Sequence, residues 1–186
     1  MDNILYKNKF TKAQYYKRTL SDYYNFCHSL IKTVSSITSR RSPVFLCIGT
    51  DRMTGDCLGP LVGHKLKRHC GSSLPLFGTL EHPVHALNLE YTLSLIRHQY
   101  DDPFLIAIDA ALGLPGHIGR IGLSHEALNP GEGLRKELPP VGDLSITGIV
   151  ASCHGDTSLL LQNTRLHLVN ELADFIVSGL ISSFSL

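Results

Sequence analysis

Two aspartates stand where chemistry is commonly done. Asp56 lies in the loop Gly49-Thr50-Asp51-Arg52-Met53-Thr54-Gly55-Asp56-Cys57-Leu58-Gly59-Pro60, which leaves the apolar run Val44-Phe45-Leu46-Cys47-Ile48. Asp109 directly follows a second run, Phe104-Leu105-Ile106-Ala107-Ile108. A pair of carboxyl groups supports two chemistries. They can share one proton, the ionised member activating water and the protonated one polarising a carbonyl. They can also hold a divalent metal, usually with a histidine as third ligand. Residue types leave both open, and the metal ligand set is unassigned.

Each aspartate also has a purely structural explanation. Asp56 precedes an apolar helical segment, where an aspartate N-cap stabilises by about 1 kcal/mol. Asp109 could accept backbone amides from a following turn, since a buried, unpaired carboxylate costs several kcal/mol. Two such residues at the ends of neighbouring strands strengthen the functional reading of each. Glu81 and His82, in Glu81-His82-Pro83-Val84-His85, could reach the same cleft to orient the pair, bind substrate or ligate a metal. Gly49 and Gly55 would let the loop backbone approach a substrate, with Thr54 in support.

Other motifs are weak. Gly49, Gly55 and Gly59 form no GxGxxG, no GK[ST] follows, and no GxSxG elbow is present. Cys57 sits at a helix start, where thiolates are stabilised, yet packing explains it more simply. His154-Gly155-Asp156 reads as a turn and cap, and His69 and His98 as solvated helix-end residues.

Elements alternate along the chain in the manner of an α/β protein. Strands are expected at 44–49, 74–79, 104–108, 118–123 and 145–150, and helices at 56–70, 87–98 and 157–182. This alternation predicts an α/β/α sandwich with a mostly parallel sheet, in which ligands bind beyond the carboxyl ends of the strands. A helix over 11–38 is expected from the spacing of Tyr16, Leu20, Tyr23, Cys27, Leu30, Val34 and Ile37, ended by the stretch 39–43. Residues 1–40 are thus expected to form an amphipathic helix lying on one globular domain, 43–186. The stripe's spacing would also permit a homo-oligomer seam.

The 186 residues, 43% apolar and 18% charged, exclude a disordered chain. Mean hydropathy is +0.06. Seventeen basic against sixteen acidic side chains give no support for nucleic acid or anionic membrane as a partner. The last apolar stretch, 12 residues with four serines, is too short to cross a bilayer, and no signal-peptide core opens the chain. Five cysteines without a CxxC argue against disulfides and structural zinc, so a cytosolic setting is the expectation.

Several segments together resemble the YyaC-type sporulation proteins, which are related to the spore germination protease. The matching residues are Cys47-Ile48-Gly49 through Thr54, Asp56, Leu58-Gly59-Pro60 and Ile106-Ala107-Ile108-Asp109-Ala110. Leu80 to Leu89, Asn129-Pro130-Gly131-Glu132-Gly133, Arg135 to Leu138 and Val141 to Gly148 extend the resemblance over about 43–151. More faintly the chain is similar to the hydrogenase maturation endopeptidases. The resemblance implies a three-layer α/β/α sandwich of the phosphorylase/hydrolase-like kind and a peptidase acting on a protein or peptide in a sporulating cell or spore. It places Asp56 and Asp109 on the germination protease's catalytic aspartates. The same positions carry metal-binding carboxylates in the maturation enzymes, whose third ligand is a later histidine. Here no histidine lies between His125 and His154, so no cofactor is expected. A non-enzymatic sporulation protein that binds a peptide in the same cleft is the competing expectation.

Overall fold

Continuous apolar runs form the centre of a six-stranded sheet in the computed structural model, which describes residues 13–37, 41–130 and 138–186. The strands are β1 (Gln14–Tyr16), β2 (Pro43–Cys47), β3 (Leu76–Phe77), β4 (Phe104–Gly113), β5 (Ile121–Ser124) and β6 (Leu144–Ser152). Their order is β1-β5-β6-β4-β2-β3. β2 pairs in parallel with β3 and β4, and β4 with β6, whereas β5 runs antiparallel to β1 and β6. The helices are α1 (Leu20–Ile37), α2 (Leu58–Cys70), α3 (Leu89–Gln99), α4 (Thr157–Gln162) and α5 (Leu166–Phe184). The result is the expected α/β/α sandwich with a mostly parallel sheet.

Period-two alternation assigns the strand residues to two unequal faces. Phe45, Cys47, Ile106, Ile108, Leu144 and Ile146 share a core with Phe26 and Leu30 of α1, Leu58, Val62 and Leu66 of α2, and Val169, Leu172 and Ile176 of α5. Val44, Leu46, Ile48 and Ala107 share a smaller core with Leu89, Leu93 and Ile96 of α3, with Val84 and Val141. Asp109 has the parity of Ala107, so it belongs to the thinly covered face.

After β2 the chain moves outward to β3, then returns across to β4 on the other side of β2. The direction of winding reverses there. That places the crevice expected of open α/β sheets between the carboxyl ends of β2 and β4.

Three expectations need correction. The N-terminal helix begins at Leu20, because Gln14–Tyr16 joins the sheet edge with Tyr16 opposite Ile121. Residues 11, 12 and 38–40 of the expected helix and its terminator lie outside the described residues. Leu20, in the first turn, is 71% exposed, while Phe26, absent from the expected stripe, is fully buried. The expected strand ending at Ile108 continues to Gly113, since its second half pairs with β6. The last helix divides at Asn163–Arg165. There Asn163 Nδ2 donates to the Leu159 carbonyl and Thr164 Oγ1 to the Leu160 carbonyl, local bonds that compete with continuing the helix.

α1 lies across α5. The Tyr23 hydroxyl reaches the Ser178 carbonyl at 3.2 Å, and Ser183 Oγ donates to the Cys27 carbonyl at 3.3 Å. Phe26 sits on Gly179, where an added Cβ would come within 2.5 and 2.7 Å of ring carbons. Alanine would gain about 1 kcal/mol of helix propensity there. Overpacking a ring already wedged against Tyr16 and Phe175 costs about 1–3 kcal/mol. Gly179→Ala is therefore expected to lower stability by about 1 kcal/mol in urea unfolding, and a more stable variant would show that the two helices are loosely packed.

Candidate active site

The site begins where β2 stops. Cys47 is its last residue paired with β4, opposite Ile108, and the Ile48 amide still bonds to the Ile108 carbonyl at 2.7 Å. Gly49 then turns away at φ +136°, its amide donating to the Val84 carbonyl. A Cβ at Gly49 would lie 2.0 Å from the Asp56 carbonyl oxygen, so only glycine lets the loop fold back this tightly. The Thr50 amide closes the loop, donating to both the carbonyl (3.1 Å) and Oδ2 (2.9 Å) of Asp56.

Asp56 therefore does not cap a helix. A 3₁₀ turn, Thr54–Cys57, starts from Met53 and α2 from Cys57, neither start having a side-chain cap. The carboxylate instead holds its own loop against the sheet. Asp156, by contrast, is the expected cap, accepting the Leu159 amide at 2.9 Å.

Asp109 lies inside β4, opposite Thr147 of β6, and is 7% exposed. Its Oδ1 accepts the amide of Ala110 at 2.7 Å, from within the strand rather than from a turn. Asp56 and Asp109 thus each bind one backbone N–H through one oxygen, and the second oxygen of each takes no hydrogen bond from the described residues. Burial pushes the Asp56 carboxyl up to about 6, with the Thr50 amide opposing. Burial raises Asp109 well above the usual carboxylate range, and the charge of Asp56 raises it further, against the Ala110 amide. Both carboxyl groups are thus held toward the protonated form, and the charge of one opposes ionisation of the other.

Both aspartates open into one cavity of about 170 Å³, shared with Ile48, Gly49, Thr50, Arg52, His85, Leu87 and Leu138. Pro130 and Leu138 approach it from either side of 131–137, so the Gly131–Glu137 part of the quoted motif lies outside the described residues. Of the residues expected in support, Gly49 forms part of the wall. Gly55 packs against Leu161 and Thr164 instead, and the Thr54 carbonyl accepts the Cys57 thiol. The expected approach of Gly55 to a substrate is thus not what its surroundings provide. Glu81 and His82 are exposed outside this cavity, with Glu81 3.4 Å from the Lys67 ammonium. Cys57 is buried and its thiol pushed up by burial and by the neighbouring Asp56 charge, the opposite of an activated thiolate.

His85, Thr50 and Arg52 were not singled out from the sequence. His85 reaches the mouth of the cavity through tertiary pairing: Val84 forms a parallel bridge with Ile48, which carries the next residue there. The metal alternative can be tested on donors. Among the described residues no three His, Cys, Asp or Glu side chains are grouped closely enough to hold an ion. His85 does not complete such a set with the two aspartates, and the described donors do not fit the three-ligand arrangement.

A family model described as "Protein of unknown function (DUF1256)" matches residues 14–179, from β1 into the last helix. The chain belongs to this family. It is 44% identical over 154 residues to the "Uncharacterized protein YyaC" of Bacillus subtilis (strain 168), covering 81% of this chain and 75% of that protein. In three dimensions it is similar to the crystal structure of a NiFe hydrogenase maturation protease, HycI, from Thermococcus kodakarensis KOD1. The TM-score is 0.51 at 18% identity, covering 80% of this chain and 98% of the other. At that identity the likeness concerns the fold. No helix among the described residues is long and apolar enough to cross a membrane.

The raised carboxyl groups have a consequence for stability. An acid whose folded pKa exceeds its unfolded value makes the folded state bind the extra proton, so stability falls as pH rises through the folded value. Asp56 acts between its ordinary value near 4 and about 6, and Asp109 extends the loss to higher pH. Asp109→Asn keeps the shape without the charge. It is expected to raise unfolding free energy by about 1–3 kcal/mol at about pH 8, with little change near pH 4. Urea titrations at both pH values check this, and an unaltered pH slope would mean that Asp109 is not buried as described.

Proposed function

We propose that this protein is a peptidase-like hydrolase in which Asp56 and Asp109 act as a water-activating dyad. One observation carries the reading: two carboxyl groups at the winding reversal of the sheet share a cavity, each supported by a single backbone amide. In the reaction, Asp56 as carboxylate takes a proton from a water as its oxygen attacks the scissile carbonyl. The Asp109 carboxyl donates a hydrogen bond, then its proton, to the substrate. Breakdown of the tetrahedral species breaks the C–N bond. The proton held by Asp56 passes to the leaving amine, and a hydroxyl proton of the tetrahedral species returns to Asp109. Asp56 and Asp109 are the catalytic residues, Thr50 and Gly49 position Asp56, and Arg52 and His85 supply polar contacts at the mouth. The substrate is a protein or peptide, and the resemblance adds the interior of a sporulating cell or spore as its setting.

Hydrolysis of an unfolded protein substrate, such as carboxymethylated casein, tests the reading. Asp56→Asn and Asp109→Asn should each lower kcat by about a thousandfold or more with little change in KM, because they remove groups used chiefly in the transition state. The rate should rise with pH through about 6 as Asp56 ionises and fall again as Asp109 loses its proton at higher pH. Full activity in either variant sinks the dyad. Activity is further expected to survive exhaustive chelation, and loss reversed by added zinc or nickel would move the assignment to a metal-assisted reaction.

A further inference from the structure

The largest cavity described is not the dyad's own. A groove of about 690 Å³ runs beside β3, between that edge strand and one face of α3. Its helical wall is Asn88, Tyr91, Thr92 and Leu95, spaced as a single helix face, and Tyr91 is 68% exposed. Its floor is β3 with the flanking residues Leu74, Gly78 and Thr79. The groove passes Pro83 and Val84 and ends at His85, which also lines the dyad's cavity. The two spaces therefore adjoin through one side chain.

Among the described residues β3 is the last strand of the sheet, and one side of it has no strand partner. The Phe45 amide donates to the Pro75 carbonyl at 2.8 Å, and Phe45 lies opposite Leu76 in a parallel ladder. In such a ladder the residues flanking the register partner, Pro75 and Phe77, bond inward, and the intervening residue points its N–H and C=O outward. Leu76 is that residue. Free backbone groups beside an apolar wall recognise one ligand shape well, an extended chain that adds a strand and lays alternate side chains against the wall. β3 itself offers Leu76 and Phe77, roughly 7 Å of such a chain, before Gly78 turns off at φ +90°.

We infer that the β3 edge and the Tyr91–Leu95 face of α3 together bind an extended peptide segment by strand addition and lead it past His85 to the aspartate pair. The inference rests on the peptidase reading and specifies its substrate: an unfolded or terminal segment with apolar residues at alternate positions. Glu81 and His82 then lie on the groove, at substrate residues remote from the bond cleaved.

The test measures binding of a capped, fluorescent peptide of alternating valine and lysine to the full chain, by anisotropy. A second peptide of the same sequence, N-methylated at alternate residues, cannot form the strand ladder. Leu76→Pro removes the outward amide at a position where an edge strand tolerates proline. The unmodified peptide should bind the wild type, and both N-methylation and Leu76→Pro should weaken binding by about tenfold, the effect of roughly one lost backbone bond. Amide hydrogen exchange gives a readout independent of that variant: Leu76 in the wild type should become protected when the peptide is added. No binding, equal binding of the methylated peptide, or an unprotected Leu76 overturns the inference. Asp109→Asn separates the two readings. If it abolishes hydrolysis while peptides bind regardless of methylation, the dyad stands and the groove falls. If strand-dependent binding persists in a wild type that hydrolyses nothing, the groove stands and the peptidase falls.

Discussion

A carboxyl group in the interior of a parallel strand is the constraint around which this fold is arranged. Asp109 lies on β4, paired on one side with β6, and only 7% of it is reached by solvent. On the other side its neighbour β2 stops opposite Ile108, one residue short. Had β2 continued, its next residues would occupy the place beside Asp109 that the loop now takes. Because the chain instead turns off at Gly49, the space beside Asp109 is filled by a loop whose own carboxylate, Asp56, comes back over it. The positive φ of Gly49 and the doubly bonded Thr50 amide are what make that return tight. The two side chains are adjacent because one strand is shorter than the next.

Such an arrangement is unfavourable on its own. Two acids in a poorly solvated site repel when both ionise, and each loses hydration. The stability that tolerates it comes from the other face of the sheet, where α1, α2 and α5 bury Phe26, Leu30, Leu58, Leu66 and Leu172 against the strands. The Arg41 guanidinium adds a clamp at the far end. It binds both oxygens of Asp143 at 3.0 and 3.1 Å, while Asp143 Oδ2 accepts the Leu105 amide. Among the described residues the dyad's face carries one helix, α3. Thin cover is the condition for a cleft and a groove there, so the unequal layers follow from the same division of labour.

Much of this was legible in the sequence, for identifiable reasons. Runs such as Val44–Ile48 and Phe104–Ile108 are apolar at every position, which only strands covered on both faces require. They marked the centre of the sheet and, with it, the positions of Asp56 and Asp109. The parts that escaped depend on tertiary pairing. Gln14-Tyr15-Tyr16 carries no alternation, and only its register with β5 makes it a strand. Ala110–Gly113 has small residues with weak strand preference, and pairing with β6 extends β4 through them. Asp56 has the sequence context of a cap, yet the backward fold at Gly49 commits its carboxylate to Thr50. Glu81 and His82 were drawn toward the cleft by their position after a strand, whereas the bridge between Val84 and Ile48 brings His85 there instead.

Likeness of fold does not decide which chemistry the two carboxyl groups would perform; their surroundings bear on it. A divalent cation between them would stabilise both negative charges, draw both pKa values down and need further donors to complete its shell. Without that charge the pair relieves its repulsion by retaining a proton, and the site then holds an acid and a base at once. The surroundings here favour the second state: Asp109 is the deeper group, Asp56 is nearer to solvent, and each has a single backbone amide to support it. Of the described neighbours, Ile48, Leu87 and Leu138 are apolar and supply no ligand, while Thr50, Arg52 and His85 are polar. The protonation state of Asp109 is therefore the physical quantity that separates two reactions a single α/β/α scaffold can host.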